Sequence, residues 1–311
     1  MTADLHVETP LWESRPMAAA LGAPVLLKME ALQPVGSFKI RGIGAASAAS
    51  VAAGARRLVG SSGGNAGYAL AWAGRRLGVA VTVFVPRTTP ESMRARIRAE
   101  GAEVVEHGAS WDDAHARAVA AADAPGAAYV HPFDDARVWS GHATLVAECA
   151  RQGPRPAAVV LAVGGGGLLC GVLEGMECVG WGDVPVLAVE TRGAASFAAS
   201  VEAGELVTLD AITSLATTLG ARTVAPEALA WTRRHAVTPW VVSDRAAVAA
   251  CARFAADHRL LVEPACGAAL SAVYDRAEPL VGADPVLVVV CGGAGADPGQ
   301  LARWQASSGN R

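Results

Sequence analysis

One lysine in this chain lies in a context that suits covalent chemistry. The segment Gly36–Gly42 reads Gly-Ser-Phe-Lys-Ile-Arg-Gly and places Lys39 in an apolar neighbourhood at a predicted loop-to-helix junction. Desolvation there would lower the pKa of the amine and make it a better nucleophile. The chain has 24 arginines but only two lysines, Lys28 and Lys39. Because arginine cannot form an imine with an aldehyde, this context predicts a chemical role for Lys39; a solvated lysine on a first helical turn is the alternative.

A run of four glycines is the second candidate. A predicted strand ends at Val163, Gly164–Gly167 follow, and Leu168 opens a predicted helix. Glycines allow several backbone N–H groups to point at one anion, and a helix N-terminus adds partial positive charge. The dinucleotide spacing fails because Leu169 and Cys170 stand where it needs glycine, and the chain has no Gly-Lys-Ser/Thr. The loop therefore favours a monophosphate, and a tight packing turn is the alternative.

The third candidate is the segment Gly60–Gly67, Gly-Ser-Ser-Gly-Gly-Asn-Ala-Gly. Its first half matches the Gly-x-Ser-x-Gly turn of α/β serine hydrolases, with Ser62 as nucleophile. No oxyanion motif of the His-Gly-Gly-Gly type precedes it. The second half, with Gly64 and Asn65, suggests a loop that holds a small ligand through backbone amides and one side-chain amide. A serine hydrolase would also leave Lys39 and the four glycines unexplained.

Short apolar runs alternate with alanine-rich amphipathic segments along the whole chain, which predicts an α/β fold with parallel strands flanked by helices. The predicted strands are 25–29, 57–59, 79–85, 103–106, 128–131, 157–163, 184–189, 240–242 and 286–290. The predicted helices are 42–53, 66–77, 90–100, 111–122, 136–151, 168–176, 226–235, 244–254 and 266–276. Ligands bind at the carboxyl ends of parallel strands, so the glycine-rich loops predict one cleft.

Composition excludes several other classes. A net charge of −3 offers no basic field for nucleic acid. The longest apolar runs are far shorter than the about 20 residues that span a bilayer. The six cysteines show no zinc-ligand spacing. The first residues carry acids and His6 where a signal peptide would be basic and then apolar, so we expect a cytoplasmic protein that associates with neither membrane nor nucleic acid.

Taken together, these segments resemble the fold type II pyridoxal-phosphate enzymes, and within them the animal-type L-serine/L-threonine dehydratases. The resemblance extends over nearly the whole chain. It is carried by Thr9-Pro10, Lys28–Glu30, Gly36–Gly42, Ser61–Gly67, Pro132–Asp135, Gly164–Gly171, Gly180–Pro185, Glu263–Ala269 and Val288–Gly293.

The resemblance implies a fold like that of the tryptophan synthase β subunit. Two open, twisted, mostly parallel sheets would be flanked by helices, with the cofactor in the cleft between domains. The large domain would comprise residues 1–34 and 136–311, and the small domain residues 35–135. The family also implies a homodimer, with a small amino acid as its substrate.

The same resemblance assigns residues to pyridoxal 5'-phosphate. Lys39 would hold the cofactor covalently and later take the Cα proton of the substrate. Phe38 would pack near the ring, and Asn65 would donate a hydrogen bond to its phenolic oxygen. The phosphate would lie against Gly164, Gly165, Gly166, Gly167 and the amide of Leu168. Cys291 would face the pyridine nitrogen as a weak, neutral partner, which favours prompt loss of a β-hydroxyl over transamination.

Two further sites follow from the resemblance. The substrate carboxylate would be held by Ser62, Gly63, Gly64 and Asn65, mostly through backbone N–H groups. A monovalent cation, K⁺, would be bound by the Glu190 carboxylate and the backbone oxygens of Gly164, Ala194, Leu219 and Ala221.

The expected reaction is β-elimination of L-serine or L-threonine to a 2-oxo acid and ammonia. Serine racemase and the β-replacement synthases are alternatives within the fold. A cofactor-binding regulatory protein without catalytic activity is an alternative from a different functional class. Lys39 argues against the last. Gly63 argues against a racemase, because related racemases carry a serine there as a second base. The sequence also departs from the animal enzymes at Ala294 and Gly295, where they have a Ser-Asn pair.

Overall fold

The computed structural model describes residues 5–308, which form ten strands and twelve α-helices. The strands are β1 Leu11–Glu13, β2 Val25–Lys28, β3 Arg57–Ser61, β4 Ala80–Val85, β5 Glu103–Glu106, β6 Ala127–Tyr129, β7 Ala158–Ala162, β8 Val186–Thr191, β9 Val237–Val242 and β10 Val286–Val289. The helices are α1 Arg15–Leu21, α2 Lys39–Ala52, α3 Asn65–Leu77, α4 Glu91–Ala99, α5 Trp111–Ala121, α6 Ala136–Gln152, α7 Gly167–Cys178, α8 Ser196–Ala203, α9 Pro226–Trp231, α10 Asp244–His258, α11 Pro264–Tyr274 and α12 Pro298–Ser308.

The strands form two sheets. One has the order β1-β2-β10-β7-β8-β9 and the other the order β5-β4-β3-β6. Among the described residues every strand pair is parallel except β1 with β2. The predicted α/β class with two mostly parallel sheets is therefore confirmed.

The chain divides into two compact units. The first contains residues 5–7 and 33–142 with the four-stranded sheet, and the second contains residues 8–32 and 143–308 with the six-stranded sheet. The boundaries predicted from the sequence were 34/35 and 135/136. The units change within α6 instead, because its first turns pack on α2: a Cβ on Gly42 would lie 2.5 Å from the Val138 carbonyl oxygen.

The sheet of the first unit has a separate hydrophobic cluster on each face. Leu58 belongs to the cluster with α2 and α3, whereas Val59, its neighbour in β3, belongs to the cluster with α5. Val83 and Phe84 in β4 divide in the same way. Side chains alternate between faces along a strand, so consecutive apolar residues require helices on both sides of the sheet. This packing fixes the strand ends from which the candidate site residues emerge.

The centre of the second unit's sheet is apolar on both faces. All five residues of β7, Ala-Val-Val-Leu-Ala, are buried, as are the four of β10. Helix α11 packs against both β7 and β8. Such continuous apolar runs are typical of parallel strands covered by helices on both faces.

Lys28 is a structural lysine at the end of β2. Its side chain is fully buried, and its Nζ lies 2.5 Å from Glu148 Oε2, 2.7 Å from the Thr9 carbonyl oxygen and 3.0 Å from Gln152 Oε1. These three acceptors match the three donors of an ammonium group. A planar guanidinium with five donors could not be satisfied by the same set, which explains why arginine did not replace this lysine.

Four elements were absent from the sequence-based assignment: β1, α1, α8 and α12. Strand β1 is three residues long and pairs antiparallel at the sheet edge, where Trp12 and Glu13 are exposed, so it lacks a continuous apolar run. Helix α8 is only eight residues long and is rich in alanine and serine.

No helix in the described part of the chain combines the length and apolarity needed to cross a membrane.

Candidate active site

Lys39 is the first residue of α2, so the predicted loop-to-helix junction is its observed position. Its side chain is half-buried, and its Nζ donates a 2.7 Å hydrogen bond to the carbonyl oxygen of Pro132. The same Nζ lies 5.2 Å from the centroid of the Phe38 ring. The amine thus has a fixed direction and a partly apolar surrounding, as a lysine nucleophile requires.

A turn after β6 holds the Pro132 carbonyl in place. The Nδ1 atom of His131 accepts hydrogen bonds from the backbone N–H groups of Phe133 at 3.3 Å and Asp134 at 2.7 Å. Burial, together with the nearby charges of His115 and Lys39, lowers the pKa of His131 to about 4. The ring is therefore neutral at physiological pH, with its proton on Nε2 and Nδ1 available as acceptor.

A second polar network lies under the end of β3. The Ser61 hydroxyl and the Tyr129 hydroxyl are 2.7 Å apart, and the Tyr129 hydroxyl is 2.7 Å from His115 Nδ1. Trp111 Nε1 donates to the Ser61 carbonyl oxygen and the Trp111 ring stacks on His115 with centroids 4.8 Å apart. Burial raises the pKa of Tyr129 to about 12. This network fixes the last residue of β3, from which the loop at residues 62–64 begins.

The loop Ser62–Gly64 leads directly into α3, whose first residue is Asn65. Gly64 is the N-cap of α3 and makes no side-chain capping bond, whereas Ser110 and Ser243 cap α5 and α10 with their hydroxyls. The N-terminus of α3, with its partial positive charge, thus lies at this loop, a position that favours an anion such as a carboxylate.

The same geometry disfavours a serine hydrolase. The Ser62 hydroxyl accepts a 3.3 Å hydrogen bond from the Gly64 N–H, and it makes no hydrogen bond to a histidine among residues 5–308. His115 lies against Ser61 instead, at 3.5 Å. A hydrolase nucleophile needs a base within hydrogen-bonding reach, and Ser62 lacks one here.

Gly63 lies against the side chain of Thr89, which the sequence analysis did not single out. A Cβ on Gly63 would be 2.3 Å from Thr89 Oγ1 and 2.6 Å from its Cγ2. Real Cβ atoms do not approach other atoms so closely, so Thr89 occupies the space that a side chain at position 63 would take. A hydroxyl, that of Thr89, therefore lies on this side of the loop even though Gly63 has no side chain.

In the second unit the four-glycine loop connects β7 to α7. Gly166 is the N-cap of α7 with φ +89°, and it makes no side-chain capping bond. A Cβ there would lie 2.6 Å from the Ala228 Cβ, so both the conformation and the space require glycine. Gly167 and Leu168 open the helix, and their N–H groups are at its N-terminus. This is a donor set for a phosphate without any basic side chain.

Cys291 lies beyond the carboxyl end of β10, the strand next to β7. It is 6% exposed. A hydrogen bond with Cys266, reinforced by burial, raises the pKa of the Cys291 thiol well above its usual value. The thiol is therefore neutral, and the role beside the ring nitrogen that the resemblance implies for Cys291 stays a prediction.

Glu190 lies in β8, on the other side of β7, and is fully buried. Its two carboxylate oxygens accept hydrogen bonds from the backbone N–H groups of Phe197 at 2.9 Å and Ala198 at 2.8 Å. Burial raises its pKa to about 7 despite these two bonds. The Glu190 carboxylate thus has no cation from a side chain to balance its charge within the described residues.

The other four predicted cation ligands also lie in the second unit. Gly164 and Leu219 are neighbours, since a Cβ on Gly164 would lie 3.2 Å from the Leu219 carbonyl oxygen. That oxygen accepts the Ala221 N–H at 2.8 Å, and Ala194 lies in the turn after β8. No cluster of three or more His, Cys, Asp or Glu side chains suited to a metal is present in residues 5–308.

Most of the predicted site residues lie at the carboxyl ends of parallel strands; Phe38 and Lys39 at the start of α2, and Leu219 and Ala221 in the segment between α8 and α9, do not. The first unit brings together the loops after β4, β3 and β6, and the second unit those after β10, β7 and β8. Pyridoxal phosphate fits the chemistry of these donors: an amine at Lys39, an uncapped helix N-terminus after four glycines, and a neutral thiol. The buried Ser37 hydroxyl, two residues before Lys39, makes no hydrogen bond to any described residue and adds an unused polar group.

Comparison with known proteins agrees with this chemistry. The family described as "Pyridoxal-phosphate dependent enzyme" matches residues 3–292. The chain is 46% identical to the L-serine dehydratase/L-threonine deaminase of Mus musculus, over 96% of this chain and 94% of that protein. It superposes on a fungal L-serine ammonia-lyase from Rhizomucor miehei with a TM-score of 0.91 and 38% identity, covering 98% and 99% of the two chains. Maize serine racemase is also similar, with a TM-score of 0.87, 25% identity and coverage of 97% and 92%. The chain therefore belongs to the pyridoxal-phosphate dependent enzymes, and its fold is that of fold type II.

Proposed function

We propose that this protein deaminates L-serine to pyruvate and ammonia, L-threonine to 2-oxobutanoate and ammonia, or both, by β-elimination. The observation that carries the proposal is the near-full-length similarity to a serine/threonine dehydratase and a serine ammonia-lyase. The polar groups at the strand ends of both units agree with that reaction.

The residues divide the chemistry as follows. When bound, pyridoxal phosphate supplies an electron sink that stabilises negative charge at the substrate Cα. Lys39 would hold the cofactor through its Nζ and would take the Cα proton as general base. The Pro132 carbonyl directs that amine. Backbone N–H groups of Gly164–Leu168 would bind the phosphate, and those of Ser62–Asn65 would orient the substrate carboxylate.

The direct test is product analysis of the purified protein loaded with pyridoxal phosphate. Incubation with L-serine or L-threonine is expected to release ammonia and the matching 2-oxo acid in equal amounts. L-Alanine has no β-leaving group and serves as the control without product. Release of D-serine as the main product from L-serine, with no 2-oxo acid from either substrate, would instead assign the chain to the racemases.

We also propose that K⁺ binds at Glu190 together with the backbone oxygens of Gly164, Ala194, Leu219 and Ala221. A buried carboxylate whose only described hydrogen bonds come from two backbone N–H groups gains more from a monovalent cation than a solvated one, because its charge is poorly hydrated. A cation near Gly164 would in turn steady the glycine loop.

This cation proposal predicts a response that depends on Glu190. The wild-type rate should be higher in K⁺ or NH₄⁺ than in a bulky organic cation at equal ionic strength, and Glu190→Ala should weaken that difference. Because Glu190 also accepts two N–H groups at the start of α8, the unfolding midpoint of the variant is measured in parallel. An equally large K⁺ effect in a folded Glu190→Ala variant would remove Glu190 from the cation site.

A further inference from the structure

We infer that Thr89 is a substrate-binding residue whose hydroxyl donates a hydrogen bond to the carboxylate of the bound amino acid. The inference rests on the proposed function, since it takes the loop Ser62–Asn65 as the carboxylate site. It adds the Thr89 side chain, from a separate loop, to a carboxylate site that was otherwise expected to consist mostly of backbone N–H groups.

The position of Thr89 follows from the strand order of the first unit. Thr89 follows β4, and Gly63 follows β3, the neighbouring parallel strand. The two loops therefore emerge side by side at the carboxyl edge of the sheet, where ligands bind in folds of this kind. The Thr89 N–H donates to the Pro86 carbonyl oxygen at 3.0 Å, which fixes its backbone in a turn before α4.

The side chain of Thr89 takes the place of a side chain on residue 63. Its Oγ1 lies 2.3 Å from the point where a Cβ on Gly63 would be. A hydroxyl is thus present beside the loop although Gly63 carries none. Thr89 can approach the backbone of residue 63 this closely only because that residue is glycine.

The Thr89 hydroxyl is available to a ligand. The residue as a whole is 6% exposed, and its hydroxyl makes no hydrogen bond to any residue in the described part of the chain. The Oγ1 atom is not among the side-chain atoms that are both fully buried and unpaired, so solvent reaches it. A hydroxyl that is open to solvent beside a ligand loop can exchange its water for a hydrogen bond to the ligand.

The chemistry of the neighbourhood points to a carboxylate as that ligand. The loop leads into the N-terminus of α3, where backbone N–H groups are donors and the partial positive charge of the helix attracts anions. A threonine hydroxyl can donate to an anion at little cost, because it carries no charge to desolvate. Hydrogen bonds to charged groups are stronger than neutral ones, so this contact would matter for binding.

Two substitutions separate the hydroxyl from the shape of the side chain. Thr89→Val keeps the branched shape and removes the hydroxyl, whereas Thr89→Ser keeps the hydroxyl and removes a methyl group. Each holoenzyme is titrated with L-alanine, which has the carboxylate but no leaving group, and with L-alaninamide, which lacks the carboxylate. Binding is followed by the change in the visible absorbance of the cofactor.

The inference predicts that Thr89→Val weakens L-alanine binding about tenfold, as expected for a lost hydrogen bond to a charged group. Thr89→Ser should bind L-alanine within about twofold of the wild type, and L-alaninamide should bind all three proteins alike. With L-serine, the KM of Thr89→Val should rise more than its kcat falls. Unfolding midpoints of all three proteins control for altered packing.

Four results would overturn the inference. Unchanged L-alanine affinity in Thr89→Val, or no L-alanine binding by the wild type, would remove the hydrogen bond. Equal weakening of both ligands would indicate a packing role. D-serine formed by the wild type and lost in Thr89→Val would assign the hydroxyl to proton transfer instead. Ammonia release from L-serine by the wild type reports separately on the proposed function, so the two can fail independently.

Discussion

Replacing Lys39 by arginine is expected to abolish both cofactor attachment and activity. The variant keeps the positive charge at the start of α2, but a guanidinium cannot form the covalent link and is too weak a base to take a Cα proton. The loss of the base alone accounts for about 10²–10⁴-fold in rate. We therefore expect the visible absorbance of the attached cofactor to disappear and 2-oxo acid release to fall by at least about 10³-fold, from the base and the link together.

The fold should tolerate this change, because Lys39 is only half-buried and its Nζ donates to a backbone carbonyl oxygen, to which a guanidinium can also donate. The free energy of unfolding of the apo protein should stay within about 1 kcal/mol of the wild type, as is usual for partly exposed sites. An Lys39→Arg protein with the wild-type rate would disprove the assignment of Lys39. An unfolded variant is recognised by its circular dichroism, and Lys39→Ala then provides the second measurement.

Replacing Lys28, the other lysine, should instead greatly lower the free energy of unfolding. Lys28→Met removes the positive charge of a buried ion pair, so the negative charge of Glu148 is no longer balanced by Lys28. Removing one partner of a buried ion pair costs about 3–5 kcal/mol. The midpoint of denaturant unfolding should fall accordingly.

Matched variants test that explanation. Adding Glu148→Gln to Lys28→Met should recover part of the stability, because the remaining partner is then neutral. Arg151→Met breaks an exposed pair with Glu8, whose side chains are 60% and 54% exposed, and should cost at most about 1 kcal/mol. If Lys28→Met were no more destabilising than Arg151→Met, the buried pair would not be important for the fold.

The sequence predicts most of the strands and helices of this protein because these elements depend on local residue patterns. Runs such as Glu103–Glu106 and Val286–Val290 mark parallel strands, and glycines after a strand mark the loops that hold ligands. The loops that carry Lys39, Ser62–Asn65 and Gly164–Gly167 could be placed this way. Short edge elements such as β1 could not, since three residues at an exposed edge carry little hydrophobic signal.

Thr89 and His131 were missed for a different reason. Thr89 meets Gly63 because β4 is the neighbour of β3, and His131 matters because its turn brings the Pro132 carbonyl to Lys39, a residue far away along the chain. Strand order is not visible in the local pattern, and neither residue is unusual in its own segment. The homodimer, the cytoplasmic location, the individual site roles and the bound K⁺ stay predictions.

The burial of Lys28 changes how this protein reacts with aldehydes and other amine reagents. Lys28 is fully buried and engaged in an ion pair, whereas Lys39 is half-buried and is the sole other lysine in the sequence. Apart from the terminal amine, a reagent that attacks amino groups therefore finds a single side chain on the folded protein. An excess of cofactor should leave the arginine-rich surface unmodified, and any general amine label becomes in effect a reporter of one residue.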